Sequence, residues 1–199
     1  EVPIGGKRTC VDDDFETDRG FTRGLTTASG GAWERAAPQA TTAQPGTQTT
    51  PGGTRCQVTA ATAGANADAN DVDAGYTDLL SPRLRLAHLA AVDAAFDLWF
   101  FDSAPNANDP LLVQLRRDGG AHWDTLLSRS TPTTGWQRIT LPLPAPLTDD
   151  MVLRVRAQDQ FASTVEVLVD QFEVRGVPAD GAVTLLASGA LGTSLRLGC

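Results

Sequence analysis

Acidic residues are the part of this sequence that could do chemistry. They concentrate in two clusters, Asp-Asp-Asp-Phe-Glu-Thr-Asp at residues 12–18 and Asn-Asp-Val-Asp at residues 70–73. A further carboxylate, Asp170, interrupts a valine-rich run at residues 164–174. A carboxylate in a half-buried strand needs a cation or several hydrogen-bond donors as its partner. Because the other conspicuous polar clusters are acidic, the sequence predicts a shared metal ion, and carboxylate and carbonyl oxygens favour calcium.

Hydrogen bonding within the protein is the alternative for each of these groups. Glu16 and Asp170 could accept bonds from backbone amides and hydroxyls instead of binding an ion. Asp71 and Asp73 lie in an Asn-Asp-x-Asp-x-Gly pattern that is also typical of an ordinary turn. An acidic run such as residues 12–14 more often lies on a solvated surface than at a metal site. Both interpretations stay open at this point.

The elements that must position these groups have the periodicity of strands. Phe96, Leu98 and Phe100 alternate with Asp97 and Trp99, in a segment whose alanine content would otherwise favour a helix. Short alternating segments recur about every ten residues and are separated by Gly and Pro turns. The sequence therefore predicts an all-β fold, a two-sheet antiparallel β-sandwich or jelly roll, with residues 164–174 as its best strand.

Length and charge limit the kinds of protein this could be. A chain of 199 residues fits one domain with a sizeable core. Its net charge of −8 argues against nucleic acid as a partner, since phosphate binding needs clustered Lys and Arg. No run of about 18 apolar residues is present, so we expect no membrane span. The chain begins with Glu1 rather than Met, and we expect either a processed product or an excised segment, with any signal peptide already removed.

The three cysteines allow at most one bridge within the chain. Cys10 could pair with Cys199 if the termini lie on neighbouring strands, or with Cys56. We expect a monomer unless Cys199 links two chains. No Cys/His spacing typical of zinc occurs.

Tryptophan is the residue type that could stack on a sugar ring. The candidates are Trp33, Trp99, Trp123 and Trp136, and strand periodicity can place most of them in the core. Residues 32–35 are predicted to form a short strand with Trp33 pointing inward. Trp99 is out of phase with Phe96, Leu98 and Phe100, so it is the candidate ligand-binding residue. Packing in the core or in a satellite cluster is the alternative for each ring.

The sequence lacks the patterns of an enzyme. It has no Gly-x-Ser-x-Gly, no phosphate loop and only two histidines, His88 and His122, which we interpret as structural. Residue type alone does not dismiss a carboxylate pair of the glycosidase type, but no aromatic-lined cleft accompanies any acidic pair in the sequence. We therefore expect no catalytic residues.

Several segments, in this order, resemble the MAM-like jelly-roll modules of secreted bacterial proteins. The resemblance covers residues 12–174, and the order of the segments is more specific than any single segment. The segments are Asp-Asp-Phe-Glu-Thr-Asp-Arg-Gly-Phe (13–21), Gly-Ala-Trp-Glu-Arg (31–35), Thr-Arg-Cys-Gln-Val-Thr (54–59), Asn-Asp-Val-Asp-Ala-Gly (70–75), Leu-Ser-Pro (80–82), Asp-Gly-Gly (118–120) with Trp123, Trp136, and Val165-Glu166 with Val-Asp-Gln-Phe (169–172).

The resemblance implies a cation held near the first and last strands. Its ligand candidates in this chain are Glu16, Asp18, Asp71, Asp73 and Asp170, and its cofactor is a structural calcium ion. The chain differs from similar modules at residues 47–50, Thr-Gln-Thr-Thr, and at Gln171, where those modules carry acidic residues. These differences leave more of the coordination to carbonyl groups and water.

The resemblance also implies a domain plan and a function. Residues 1–11 are predicted to be a tail or edge strand, 12–177 the MAM-like sandwich, and 178–199 an extension or the start of another module. The implied function is a non-catalytic accessory or binding module of a secreted or cell-surface bacterial protein, attached to a hydrolase such as a protease. A carbohydrate-binding module and a structural or adhesive module are the alternatives, with a carbohydrate or protein ligand.

Overall fold

Antiparallel strands make up the regular structure of the described residues. The computed structural model describes residues 6–160 and 163–179. The strands are β1 Arg8–Asp13, β2 Thr22–Thr26, β3 Glu34–Ala36, β4 Cys56–Val58, β5 Gly75–Leu80, β6 Leu89–Asp102, β7 Leu111–Arg117, β8 Asp124–Arg129, β9 Gln137–Leu143, β10 Met151–Asp159 and β11 Val165–Pro178. Across those ranges we find no helix with the length and apolar character of a membrane span.

The strands form two sheets packed face to face. One sheet has the order β3-β4-β11-β6-β9, with β1 also paired to β11, and the other has the order β2-β5-β10-β7-β8. Every strand pairing is antiparallel. The predicted all-β, two-sheet antiparallel sandwich with a jelly-roll character is confirmed.

Two long strands form the centre of the six-stranded sheet. β6 and β11 have 14 residues each and pair from Val165 opposite Asp102 to Pro178 opposite Leu89. On its other side β11 pairs with β4 near its start and with β1 near its end. The valine-rich run predicted as the best strand is therefore the central strand, and the alanine-rich segment is a strand, as its period of two predicts.

The core lies between the sheets and follows the period of two. Leu98 and Phe100 of β6 and Val167 of β11 are almost fully buried, and Leu153 of β10 faces them from the other sheet. Trp33 is 2% exposed and its indole N–H donates to the Thr77 carbonyl over 3.1 Å, so its predicted inward position is correct.

A long connection covers part of the outer face of the six-stranded sheet. Residues 37–55, here called the covering loop, join β3 to β4, and the Pro, Gly, Thr and Gln content of this segment predicts a loop. The indole N–H of Trp99 donates to the Ala43 carbonyl over 2.8 Å. That of Trp136 donates to the Thr47 carbonyl over 3.2 Å. The loop is thus bound to the sheet surface.

The described residues include part of the predicted chain ends and two of the three cysteines. The predicted boundary between residues 11 and 12 falls inside β1. Of the predicted extension 178–199, residues 180–199 lie outside the described residues. Cys56 is a free, buried thiol, so the Cys10–Cys56 bridge is ruled out. Cys10 is disulfide-bonded, and Cys199, its other predicted partner, lies outside the described residues.

A buried carboxyl group lies on the outer side of β11. Glu166 is 0% exposed, its Oε2 accepts a hydrogen bond of 2.8 Å from the Thr59 hydroxyl, and its Oε1 has no partner among the described residues. Burial raises the pKa of Glu166 from 4.5 to about 8, against the opposing effect of the Thr59 hydrogen bond. The folded protein therefore holds this carboxyl protonated at pH values where the unfolded chain releases the proton.

This pKa difference makes stability depend on pH. Between 4.5 and about 8 the folded state binds the Glu166 proton and the unfolded state does not, so the free energy of unfolding should fall as pH rises. Each pH unit costs at most about 1.4 kcal/mol for one such group. Urea denaturation across this range should show the decline, and E166Q, which stays neutral, should flatten it. Equal slopes in both proteins would contradict the assignment.

Leucine-to-alanine substitutions should separate core from surface. Leu98 is 0% exposed, and L98A should lower the free energy of unfolding by about 2–5 kcal/mol because it leaves a cavity. Leu25 is 62% exposed, and L25A serves as the matched control, with an effect within about 0.5 kcal/mol. Chemical denaturation measures both, and comparable losses would show that the two sheets do not pack as described.

Candidate ligand-binding face

The outer face of the five-stranded sheet carries an unusual set of polar and aromatic side chains. On β10, Leu153, Val155 and Ala157 point into the core, so the alternate residues point outward. The neighbouring strands β5 and β7 follow the same rule. We call this surface the arginine face, and its members are Tyr76, Asp78, Gln114, Arg116, Trp123, Arg154 and Arg156.

Asp78 is the centre of this face and is 2% exposed. Arg156 donates two hydrogen bonds to its carboxylate, from Nε to Oδ1 at 2.7 Å and from Nη2 to Oδ2 at 2.9 Å. Arg154 approaches the same carboxylate less closely, with Nη1 3.4 Å from Oδ2. A planar guanidinium bound in this bidentate way has a fixed orientation, so the donors of Arg156 are held in place.

Arg154 is fixed by a second partner on the next strand. Its Nε donates to Oε1 of Gln114 over 3.0 Å, and the amide of Gln114 donates to the Thr125 hydroxyl over 3.1 Å. Burial lowers the pKa of Arg154, Asp78 opposes that shift, and the positive charge of Arg156 adds to it. For Arg156 burial also acts to lower the pKa, but the hydrogen bonds and charge of Asp78 raise it overall.

Aromatic rings lie against these arginines. The guanidinium carbon of Arg154 is 4.0 Å from the centre of the Trp123 ring, and that of Arg116 is 5.1 Å from it. The guanidinium carbon of Arg156 is 3.6 Å from the centre of the Tyr76 ring. Both rings remain partly exposed. Cation–π contacts of this kind hold the rings in defined orientations.

The arginine face therefore offers aromatic surface next to fixed hydrogen-bond donors and one acceptor. This combination suits the recognition of a polar ligand with apolar ring faces. Strand alternation already identifies Arg154 and Arg156 as a pair on one side of a strand, and Trp123 is a candidate platform. The sequence does not show that Asp78 and Gln114 lie on the two strands that flank β10, where they join the two arginines into one surface.

Trp99 lies on the opposite side of the protein. It projects from the outer face of the six-stranded sheet, as its phase predicts, and packs edge-to-face with Trp136 at a centroid distance of 6.4 Å. Both rings flank a satellite cluster of Cys56, Val58 and Leu168. The covering loop accepts the indole N–H of Trp99, so the geometry favours the satellite packing, and the ligand role of Trp99 stays a prediction.

Asp170 and Glu16 both bind the covering loop. Oδ2 of Asp170 accepts hydrogen bonds from the amides of Thr49 at 2.7 Å and Thr50 at 2.9 Å, and Oδ1 accepts the Gln171 amide at 2.8 Å. Burial raises the pKa of Asp170, and these donors oppose the shift.

Glu16 occupies the same kind of position farther along the covering loop. Its Oε1 accepts the amides of Thr54 at 2.7 Å and Arg55 at 2.8 Å, and the Arg55 hydrogen bond is the main cause of the lowered pKa of Glu16. An ion bound to Glu16 or to Asp170 would have to compete with these amide donors.

The other three predicted ligands lie elsewhere. Asp18 is exposed and its Oδ1 accepts the Gly20 amide at 2.9 Å. Asp71 is 0% exposed and its Oδ2 accepts the amide of Val165, the first residue of β11, at 2.9 Å. Val165 is five residues from Asp170, which is roughly 16 Å of extended strand. The five carboxylates thus do not meet at one centre in this arrangement.

The surroundings of Asp71 and Asp73 resemble a cation site more closely than those of Glu16 and Asp170 do. The Oδ1 atom of Asp71 is buried without a hydrogen-bond partner among the described residues. Burial, with the charge of Asp73, raises the pKa of Asp71 to about 6. A Cβ atom placed on Gly30 would lie 2.7 Å from the Asp71 carbonyl oxygen and 3.3 Å from Oδ2 of Asp73, so Gly30 packs closely against both oxygens.

A metal site built from side chains alone would need several carboxylate, cysteine or histidine groups close together. Within the described residues no three of them form a group suited to holding one. An ion at Asp71 and Asp73 would therefore need backbone carbonyls and water as further ligands.

Comparisons with known proteins define the fold further. No protein-family model and no curated protein matches the chain. Among solved structures, the K1 cleaved adhesin domain of Lys-gingipain from Porphyromonas gingivalis W83 is similar, with a TM-score of 0.56 and 16% identity over 86% of this chain and 99% of that one.

A xylan-binding domain shares the same architecture. The CBM22-1 xylan-binding domain of Xyn10C from Paenibacillus barcinonensis has a TM-score of 0.52 and 19% identity, over 89% of this chain and 99% of that one. The predicted MAM-like resemblance is not among these similarities and stays a prediction. The chain has the jelly-roll fold that adhesin and carbohydrate-binding domains share.

Proposed function

We propose that this protein is a non-catalytic carbohydrate-binding module and that it binds its ligand on the arginine face. The observation that carries the proposal is the line of side chains on one open sheet surface, where Trp123 and Tyr76 lie beside fixed arginine donors. Sugars present apolar ring faces and a rim of hydroxyl groups, which such a surface complements. The shared fold with a xylan-binding domain supports this choice of ligand class.

The rigidity of the arginine face also supports a binding role. The Asp78 carboxylate and Gln114 amide hold both central guanidinium groups before any ligand arrives. Donors that are already ordered lose little conformational entropy on binding, so more of the contact energy contributes to affinity. The predicted lack of enzymatic activity is part of this proposal.

The setting we propose is that of an accessory module in a secreted or cell-surface bacterial protein, attached to a hydrolase such as a protease. The two similar structures support a modular context, since each is named as a domain of a larger protein. The adhesin similarity keeps a protein ligand as the second candidate.

Calcium is part of the proposal and belongs at Asp71 and Asp73. The unpartnered Oδ1 of Asp71 and the neighbouring charge of Asp73 support this position. The amides bound to Asp170 and Glu16 argue against the position near the covering loop. A bound cation would neutralise neighbouring like charges and fix the turn that leads into β5.

Alanine substitution of two tryptophans tests the binding face. W123A should weaken binding to soluble polysaccharides, xylan included, by at least about tenfold, because it removes a central aromatic contact. Affinity electrophoresis measures retention in gels that contain each polysaccharide. W99A is the matched control and should keep its retention.

Two outcomes would contradict this assignment. Retention lost in W99A and kept in W123A would move the site to the opposite sheet. A natural chain that no polysaccharide retards would remove the carbohydrate proposal and leave the protein ligand. Circular dichroism of both variants shows whether each is folded.

Calcium should raise the melting temperature, since an ion bound only by the native state stabilises it by mass action. D73N should abolish the increase between excess chelator and millimolar calcium, and E16Q should retain it. Differential scanning calorimetry measures both. An identical melting temperature with and without calcium in the natural chain would refute the site, and loss of the response in E16Q alone would relocate it.

A further inference from the structure

The arginine face is positively charged on an acidic protein. It contains three guanidinium groups, those of Arg116, Arg154 and Arg156, and one carboxylate, that of Asp78. The chain as a whole has a net charge of −8. A carboxylate on the neighbouring strand β8, that of Asp124, contacts Arg117 and His122, whose Nε2 is 3.0 Å from Oδ1.

The positive charge on this face is only partly balanced. Arg156 takes the two short contacts to Asp78, which leaves Arg154 with the longer one at 3.4 Å. The side chain of Arg154 is nevertheless only 11% exposed. A charge withdrawn from water without a close counter-charge is costly, so an anion at this position would stabilise it.

Arg116 carries the second unbalanced charge. Its Nε atom is buried and has no hydrogen-bond partner within the described part of the chain. Arg116 contacts the Trp123 ring together with Arg154, on adjacent strands of the same sheet face. Two arginines therefore converge beside one partly exposed aromatic ring, and one of them, Arg116, has an unpartnered donor.

We propose that the ligand of the arginine face is an acidic polysaccharide, one whose sugars carry carboxylate groups, such as uronic acids. This inference rests on the proposed carbohydrate-binding function and names its substrate class. A carboxylate accepts two parallel hydrogen bonds from a guanidinium fork, which a neutral hydroxyl group does not. Trp123 supplies the surface for the sugar ring, and Arg116 and Arg154 supply the charge.

The decisive experiment compares one polymer in two chemical forms. The probes are a xylan with glucuronic acid side groups and the same xylan after reduction of its carboxyl groups to alcohols. Isothermal titration calorimetry should show at least about tenfold tighter binding to the acidic form, about the value of one charge-assisted hydrogen bond. Added salt should reduce this difference, because it screens the charges.

Two variants test which charges are responsible. R116Q should weaken binding to the acidic xylan about tenfold and leave binding to the reduced xylan unchanged. R175Q is the matched control: Arg175 lies on the other sheet and is 57% exposed, so this variant removes the same charge without touching the face. It should bind like the natural chain.

The outcomes separate this inference from the function it rests on. Equal affinity for both xylans would overturn the acidic ligand and keep the carbohydrate-binding function. The same would follow if R175Q and R116Q lost affinity equally, because net charge alone would then explain the preference. Retention by dextran sulfate but by neither xylan would overturn the carboxylate assignment, and binding to none of these polymers would overturn both proposals.

Discussion

Two aspartates that face each other across the central strand pair impose the main constraint on this structure. Asp97 of β6 lies directly opposite Asp170 of β11, and like charges at such positions destabilise a sheet. The Thr49 hydroxyl lies between them, 2.6 Å from Asp97 and 2.9 Å from Asp170, and Arg138 contacts Asp97 from β9. The covering loop thus supplies hydrogen-bond donors to the pair, and Arg138 supplies a positive charge beside Asp97. These hydrogen bonds hold the Pro- and Gly-rich segment against the sheet.

Each sheet has a buried carboxylate on its outer face, and the two carboxylates have different kinds of partner. Backbone amides and hydroxyls of the covering loop satisfy Asp170, and the indole groups of Trp99 and Trp136 bind the same loop, so the loop covers this part of the sheet. Arginine side chains of the sheet itself satisfy Asp78, and they bring excess positive charge to a surface with aromatic rings. The arginine face is therefore the surface on which we propose that the ligand binds.

The acidic clusters show why residue type alone could not define a metal site. Glu16 and Asp170 are close to one loop, as a shared partner requires, but the groups they meet are N–H donors. Asp71 has an oxygen with no donor beside it in the described structure. A carboxylate can accept hydrogen bonds or bind a cation, and its neighbours in space decide which of these it does. Calcium at Asp71 and Asp73 therefore stays a prediction for the melting experiments.

The sequence by itself determined the strands, their inward and outward sides and hence the sandwich, because a period of two is a local property that burial on one face enforces. It placed Trp33 inside, Trp99 on the other side of its strand, and residues 164–174 in the best strand. Only the tertiary structure decided which partner each polar group meets. Asp78, Gln114 and Arg154 come together from three strands whose pairing depends on long-range packing, so no local pattern in the chain could reveal the arginine face.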